Sequence, residues 1–396
     1  MAIISYILIF STYFFSVFLS FFPSMFSYKQ FAFGLAVISV LLIIRKLYYN
    51  AWTVSKREFT TIVVAIVGVI MYCATPIFFK GENRNNLSVY NSFRLVIIGQ
   101  ILPIVAVACF CRGDIEIKEK MIRFSPIIGA IFTGIALLAA FNPTSMTSGG
   151  YALNENGLGY QTISYMAAYA SALLEYYVLT REEEVHFNIL KSKAAGFIAF
   201  FLIFVNALSV LVGGGRGGFV AYILFLCFTV FLLIRRNQLS LNSLVKGIFI
   251  FGVIVLAGYW AISIASNSTV STNGFSRIID LFSGSGDKGR NTLKENALTL
   301  FKLNPVIGNG LGSILLFNGL YSHNFFLDVM AETGLFGLAI IMILLFNTVK
   351  KGMQLINESI TESLWMYIFL CGFIMSLFSG YYLDQFPVWW VIAFMC

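Results

Sequence analysis

Apolar runs of about twenty residues recur along almost the whole chain, and this feature restricts its fold more than any other. Such a run, as a helix, matches the roughly 30 Å hydrocarbon core of a bilayer. In lipid the backbone must satisfy its own polar groups, which leaves helices or closed barrels. Read by apolar length, the sequence predicts helices near 3–22, 31–44, 59–79, 93–111, 124–141, 158–179, 194–212, 219–234, 247–264, 325–346 and 364–383, and a short last one from Phe386. That gives about twelve transmembrane helices in an all-α polytopic membrane protein. A soluble fold is excluded by the same arithmetic: 59% of residues are hydrophobic and only 11% charged, against about 25% charged in soluble domains. The first run lacks a basic leader and a small-residue cleavage site, so it reads as a retained span.

Orientation follows from the basic residues, because short loops rich in Lys and Arg stay cytoplasmic. With the N-terminus inside, inner loops hold Arg45, Lys46, Lys56, Arg57, Arg112, Lys118, Lys120, Arg123, Arg181, Lys191, Lys193, Arg235, Arg236, Lys246, Lys350 and Lys351. The outer side holds Lys29, Lys80, Arg84, Arg94 and Arg216 in short loops; Arg277, Lys288, Arg290, Lys294 and Lys302 fall in one long loop where the rule is weak. The net charge of +8 is accounted for in this way and implies no nucleic acid partner. Six cysteines without CxxC spacing suggest neither disulfides nor a zinc site, and read as small buried hydrophobes.

The long outer loop, 265–324, is the place to seek a site. It opens with Ser-, Gly- and Asn-rich loop sequence, and the stretch RNTLKENALTLFKLN then sets Leu293, Ala297, Leu300 and Phe301 on one face, as in an amphipathic helix lying on the membrane surface. The chain thus divides into N-terminal helices at 1–193, a core at 194–346 that includes this loop, and C-terminal helices at 347–396.

Four groups of residues could carry chemistry. Gly213-Gly214-Gly215-Arg216-Gly217-Gly218 sits at an outer helix junction, where Gly214, Gly215 and Gly217 would let amides form an anion-holding nest around the Arg216 guanidinium. A tight turn with a snorkelling arginine explains the same residues. Ser322-His323-Asn324 precedes a span; a neutral His323 could accept a proton from a hydroxyl, or simply neighbour a helix N-cap. Asp328 and Glu332 share a face in the first turns of that span, where a buried carboxylate requires a partner. Arg290 opens the amphipathic helix, an unfavourable place for a cation unless an anion binds nearby, and Lys294 follows it. The other histidine, His186, lies beside Glu182, Glu183 and Glu184 and reads as part of a solvated charge run. Asp114 and Glu116 form the only Asp-x-Glu arrangement and lie on the inner side, which argues against a metal-dependent sugar-nucleotide site.

The stretches GGGRGGFVAYIL, GRNTLKENALTLFKLNPVIGNGLG and SHNFFLDVMAETGLFG resemble the shared domain of bacterial O-antigen polymerases and O-antigen ligases over roughly 194–346. The resemblance implies a GT-C-like membrane glycosyltransferase of the inner membrane, with a large periplasmic loop over its active site and no metal or other cofactor. Its donor would be an undecaprenyl-diphosphate-linked oligosaccharide, and a flippase and a chain-length regulator of the same pathway would be its partners. By position, Arg216 and Arg290 would contact the diphosphate and His323 would act as base or acceptor-positioning group. Asn324 completes the His-Asn pair, and Glu332 and Gly334 match a Glu-x-Gly motif. Asn324, Glu332 and Lys294 would join Gly214, Gly215 and Gly217 in binding the substrate, and Asn154, Asn156 and Gly157 resemble a recurrent turn without an assigned role. Polymerase is the expected activity, because the spacing from PVIGNGLG to SHNFFLDVMAETGLFG is short; ligase is the alternative. A lipid-linked sugar transporter would be expected to place charges near mid-membrane, and a non-catalytic scaffold would tolerate replacement of Arg216, Arg290 and His323.

Overall fold

In a computed structural model the protein is built from helices, with no strand among the described residues, which are 1–15, 28–49, 54–79, 86–140, 160–236, 252 and 288–395. The helices are α1 (Ala2–Ile9), α2 (Tyr28–Tyr49), α3 (Lys56–Phe78), α4 (Leu87–Arg112), α5 (Ile115–Ala140), α6 (Tyr160–Thr180), α7 (Lys193–Gly213) and α8 (Arg216–Arg235). Then come α9 (Lys288–Leu303), α10 (Ser313–Asn318), α11 (Phe325–Glu358), α12 (Ser363–Phe378) and α13 (Phe386–Met395). Eight of the described helical segments are long and apolar enough to cross a membrane: α2 to α5, α7, α8, α11, and α12 with the turn before it. This is the architecture of a multi-pass membrane protein. The expected span at 247–264 and the first part of the long loop lie outside the described residues.

Helix α6 corresponds to the expected run at 158–179. Its Ser, Tyr and Glu residues place it outside those eight, yet it is the most enclosed helix, packed by α5, α7, α8 and α12. A helix surrounded by protein can carry polar side chains if each finds a partner. Glu175 does so, accepting from Ser171 Oγ at 3.0 Å and Thr229 Oγ1 at 2.5 Å, while the Thr229 hydroxyl also meets the Tyr367 hydroxyl at 2.5 Å. These contacts tie α6 to α8 and α12. By contrast, α2, α3 and α7 turn Leu41, Val64, Ile70, Phe197 and Phe201 outward, an apolar surface suited to lipid.

Basic residues assigned to one side of the membrane gather at one end of the bundle. Lys46 pairs with Asp114 at 3.4 Å, Lys118 lies 5.3 Å over the Phe394 ring, Arg123 donates to the Val185 carbonyl at 2.9 Å, and Arg236 approaches Glu183 at 3.9 Å. The turn holding His186 folds back on this end, contrary to the expected solvated run. His186 is buried, its Nε2 2.9 Å from Thr180 Oγ1 and its ring edge-on to Tyr177. Burial, with Lys191 and Arg123 adding, lowers its pKa to about 4. The cysteines divide: Cys109, Cys111 and Cys371 are buried as expected, whereas Cys227 is exposed on the apolar surface.

Several helix boundaries depart from the sequence reading. Helices α4 and α5 begin six and nine residues before the expected starts, because the polar first turns, with Lys118, Lys120 and Arg123 in α5, add nothing to an apolar run. The expected 325–346 span continues to Glu358 and is broken at Gly334, whose φ of 64° and ψ of −167° are open essentially to glycine. The groups freed by the break are taken up by the preceding loop: the Leu335 N–H donates to Pro305 O (2.9 Å), Phe336 N–H to Val306 O (3.0 Å), and Gly310 N–H to Glu332 O (2.8 Å). The expected 364–383 span ends early at Phe378, and the segment 379–385 turns across the bundle end before α13, which at ten residues is too short to span alone.

Candidate functional site

The site is assembled at the opposite end of the bundle, where the starts of α6, α8 and α11 meet the ends of α7 and α12. Gly214 caps α7 in the left-handed region (φ 65°), and its N–H returns to Val210 O at 3.1 Å. The Gly215 N–H donates to Ser164 Oγ at 2.9 Å. The turn is pressed onto α6: a β-carbon on Gly218 would come within 2.5 Å of Ser164 Cβ, and one on Gly217 within 1.8 Å of the Tyr165 hydroxyl. The density of glycine therefore has a packing reason. The expected nest is reduced accordingly, because the Gly214 and Gly215 amides are spent inside the protein. What the turn presents to an anion is the N-terminus of α8, with half-buried Arg216 in its first position.

Helix α9 forms as its apolar face predicts. Ala297 and Leu300 are fully buried, and the helix packs on α10 and α11. The Asn296 side chain donates to Asn318 Oδ1 at 2.8 Å, pinning α9 to α10. This sets half-buried Arg290 in the first turn and Lys294 one turn on. The Arg290 charge acts on Tyr165, the residue against which Gly217 packs, so Arg290 and the turn that carries Arg216 share one neighbour although 74 positions separate the two arginines in the chain.

His323 reaches the same region through aromatic contacts. Its φ of 58° makes it the one non-glycine residue in the left-handed region among those described, a strained conformation that histidine tolerates better than most residues. The strain is held by its neighbours. The Ser322 N–H donates to Asp328 Oδ1 at 2.8 Å, and Asn324 caps α11 by accepting from the Leu327 N–H at 3.1 Å. The Tyr321 ring packs against the His323 ring at 4.6 Å, and its hydroxyl donates to the Ser379 carbonyl at 2.6 Å. Ser379 in turn neighbours Tyr165. Arg290, the turn that carries Arg216, and His323 are thus linked through Tyr165, Ser379 and Tyr321.

Glu332, expected to bind substrate, is turned inward and is 1% exposed. Tyr381 donates to its Oε1 at 2.8 Å and Oε2 at 2.9 Å, and Tyr382 donates to Oε2 at 2.7 Å. Burial and the neighbouring carboxylate hold both phenols well above their usual pKa, so they remain donors. Burial likewise pushes the Asp384 carboxyl up to about 7, against the hydrogen bond from Gln385. The partner required by Asp328 and Glu332 is therefore a backbone amide for one and a pair of tyrosines for the other.

Sequence reasoning missed Tyr165, Tyr321, Ser379, Tyr381 and Tyr382. A usable signal was present in SGYYLDQFP, a polar and aromatic interruption of an apolar run. An apolar cleft of about 370 Å³ was also not foreseen; α3, α4, α11 and α13 line it from Thr61 to Tyr72, and Tyr382 is in its wall. The resembling turn at Asn154, Asn156 and Gly157 lies outside the described residues. No family model, curated protein or solved structure matches the chain.

Proposed function

We propose that this protein is a metal-independent glycosyltransferase that polymerises a bacterial surface polysaccharide from repeat units carried on undecaprenyl diphosphate. The observation that supports this reading is the run of neighbours at one end of the bundle that joins Arg290 and the turn carrying Arg216, through Tyr165, Ser379 and Tyr321, to His323. Two guanidiniums beside the start of α8 suit a departing diphosphate. An imidazole across from them suits the acceptor. His323 takes the proton of an acceptor hydroxyl, the oxygen forms a bond to the donor's anomeric carbon, and the carbon–oxygen bond to the diphosphate breaks. The arginines hold the charge that develops on the leaving diphosphate. Lys294 adds positive potential, and Asn324 fixes the backbone that carries His323.

The basic end of the bundle is cytoplasmic in this reading, which places the site on the periplasmic face of the inner membrane. The twelve-helix, GT-C-like arrangement, with a periplasmic loop at 265–324, belongs to the same proposal. The apolar cleft beside Tyr382 supplies a seat for the polyprenyl chain in lipid-exposed protein. A flippase would deliver the repeat units, and a chain-length regulator would act on the product.

The test is a gel of surface lipopolysaccharide from a strain deleted for this chain and complemented with wild type, Arg216→Ala or Arg290→Ala. Core bearing a single repeat unit after deletion is the expected result, with neither variant restoring the ladder. Bare core with lipid-linked polymer accumulating would make the protein a ligase. A full ladder restored by both arginine variants would remove the diphosphate assignment.

A further inference from the structure

Glu332 sits below the candidate catalytic groups, yet it is linked to them by an unbroken set of contacts. Its carboxylate receives the hydroxyls of Tyr381 and Tyr382 at 2.7 to 2.9 Å. The Tyr381 ring stacks on Tyr321 with centroids 6.0 Å apart and 23° between planes. Tyr321 packs on His323 at 4.6 Å and is fastened at its other end to the Ser379 carbonyl at 2.6 Å. Residues 379–385 form a turn between two helices, with one 3-10 step at Tyr382–Asp384; its backbone is held by Met375 and Trp389, and Phe93 and Phe325 pack on the two rings, while the phenol hydroxyls themselves are fixed by the Glu332 carboxylate.

We infer that Glu332 is a positioning residue for the proposed transfer: its buried carboxylate locks Tyr381 and Tyr382, and through the Tyr381–Tyr321 stack it sets the orientation of the His323 imidazole. This rests on the reading of His323 as base or acceptor-positioning group. It differs from substrate binding by Glu332 itself, since a carboxylate that is 1% exposed and occupied by two phenols has no face left for a sugar. It also accounts for the choice of an acid here. Glutamine offers one oxygen and an NH₂ group, so in Glu332→Gln a tyrosine facing the NH₂ must accept where it had donated, and its own proton loses its acceptor. Tyr381→Phe keeps the ring and its stack but removes one of the two anchors.

The experiment uses full-length protein in detergent micelles with ¹⁵N-labelled histidine, alongside transfer kinetics in membranes supplied with lipid-linked repeat unit. The chain has two histidines, so each serves as reference for the other. In Glu332→Gln and in Tyr381→Phe/Tyr382→Phe, the His323 resonances should move while those of His186, at the other end of the bundle, stay. Turnover should fall on the order of ten- to a hundredfold with KM within about twofold, as expected for a misplaced catalytic group. Adding Tyr381→Phe to Glu332→Gln should cost no more than Glu332→Gln alone, because both break one linkage. Unmoved His323 resonances in both variants would overturn the inference, as would a tyrosine double variant with full turnover beside an impaired Glu332→Gln. Wild-type membranes without transfer activity would instead defeat the proposed function, and the resonances would still decide whether Glu332 positions His323. Should Glu332→Gln fail to fold, Tyr381→Phe alone carries the test.

Discussion

Replacing Gly334 by alanine tests how the broken helix is held. At φ 64° and ψ −167° an L-residue is strained by about 1 to 3 kcal/mol. An added β-carbon would lie 2.4 Å from the Val306 carbonyl carbon and oxygen and 2.6 Å from the Gly308 nitrogen, all backbone atoms, so the 305–308 loop must retreat. Overpacking of this kind costs about another 1 to 3 kcal/mol. The bonds from Leu335 and Phe336 to that loop would weaken as it moved, at about 1 kcal/mol each. The expected loss is about 4 to 8 kcal/mol, a large part of the 5 to 15 kcal/mol typical of a folded domain. Gly134 is the control, lying inside α5 with nothing within 4 Å of an added β-carbon; alanine there should stabilise by about 1 kcal/mol. Thermal unfolding of purified protein in detergent measures both. A Gly334→Ala protein that melts at or above the wild-type temperature would refute the argument that the break needs glycine.

Three further outcomes follow from the geometry. Because the pKa of His186 is lowered in the folded state, its neutral form contributes stability above about pH 6.5 that is lost as pH falls toward 4; the ceiling is about 3 kcal/mol, and a His186→Gln protein should show a flatter melting temperature across that window. Gly217→Val should displace the Tyr165 hydroxyl and reduce transfer more than expression, read by ladder length against protein level; an unchanged ladder would separate Tyr165 from the site. Filling the apolar cleft with Gly68→Trp should raise KM for the lipid-linked donor at least severalfold while leaving a short-chain analogue unaffected, and equal effects on both would show that the cleft holds no chain.

Local pattern carried a large part of the fold. Except that α4 and α5 start six and nine residues early, apolar length located α2 to α8 to within five residues, because a helix in lipid must bury its own backbone whatever its neighbours do. The apolar spacing of Leu293, Ala297, Leu300 and Phe301 located α9 for the same reason, since that face had to meet something. The arginines and His323 could be named from their residue types and motif. Their meeting could not, because it depends on how α6, α8, α11 and α12 pack. The glycine run looked like an anion nest until one of its amides was found spent on Val210 O and another on Ser164 Oγ. Glu332 looked like a substrate ligand until Tyr381 and Tyr382, about fifty residues later, were found closing over it. His186 looked solvated until its turn folded onto Thr180. Sequence alone determined the solvent this chain folds in and the helices it makes, both of which follow from local hydrophobicity and backbone hydrogen bonding. Only the tertiary structure decided which polar groups face a ligand and which are consumed by one another, because that choice is made by contacts between residues far apart in the chain.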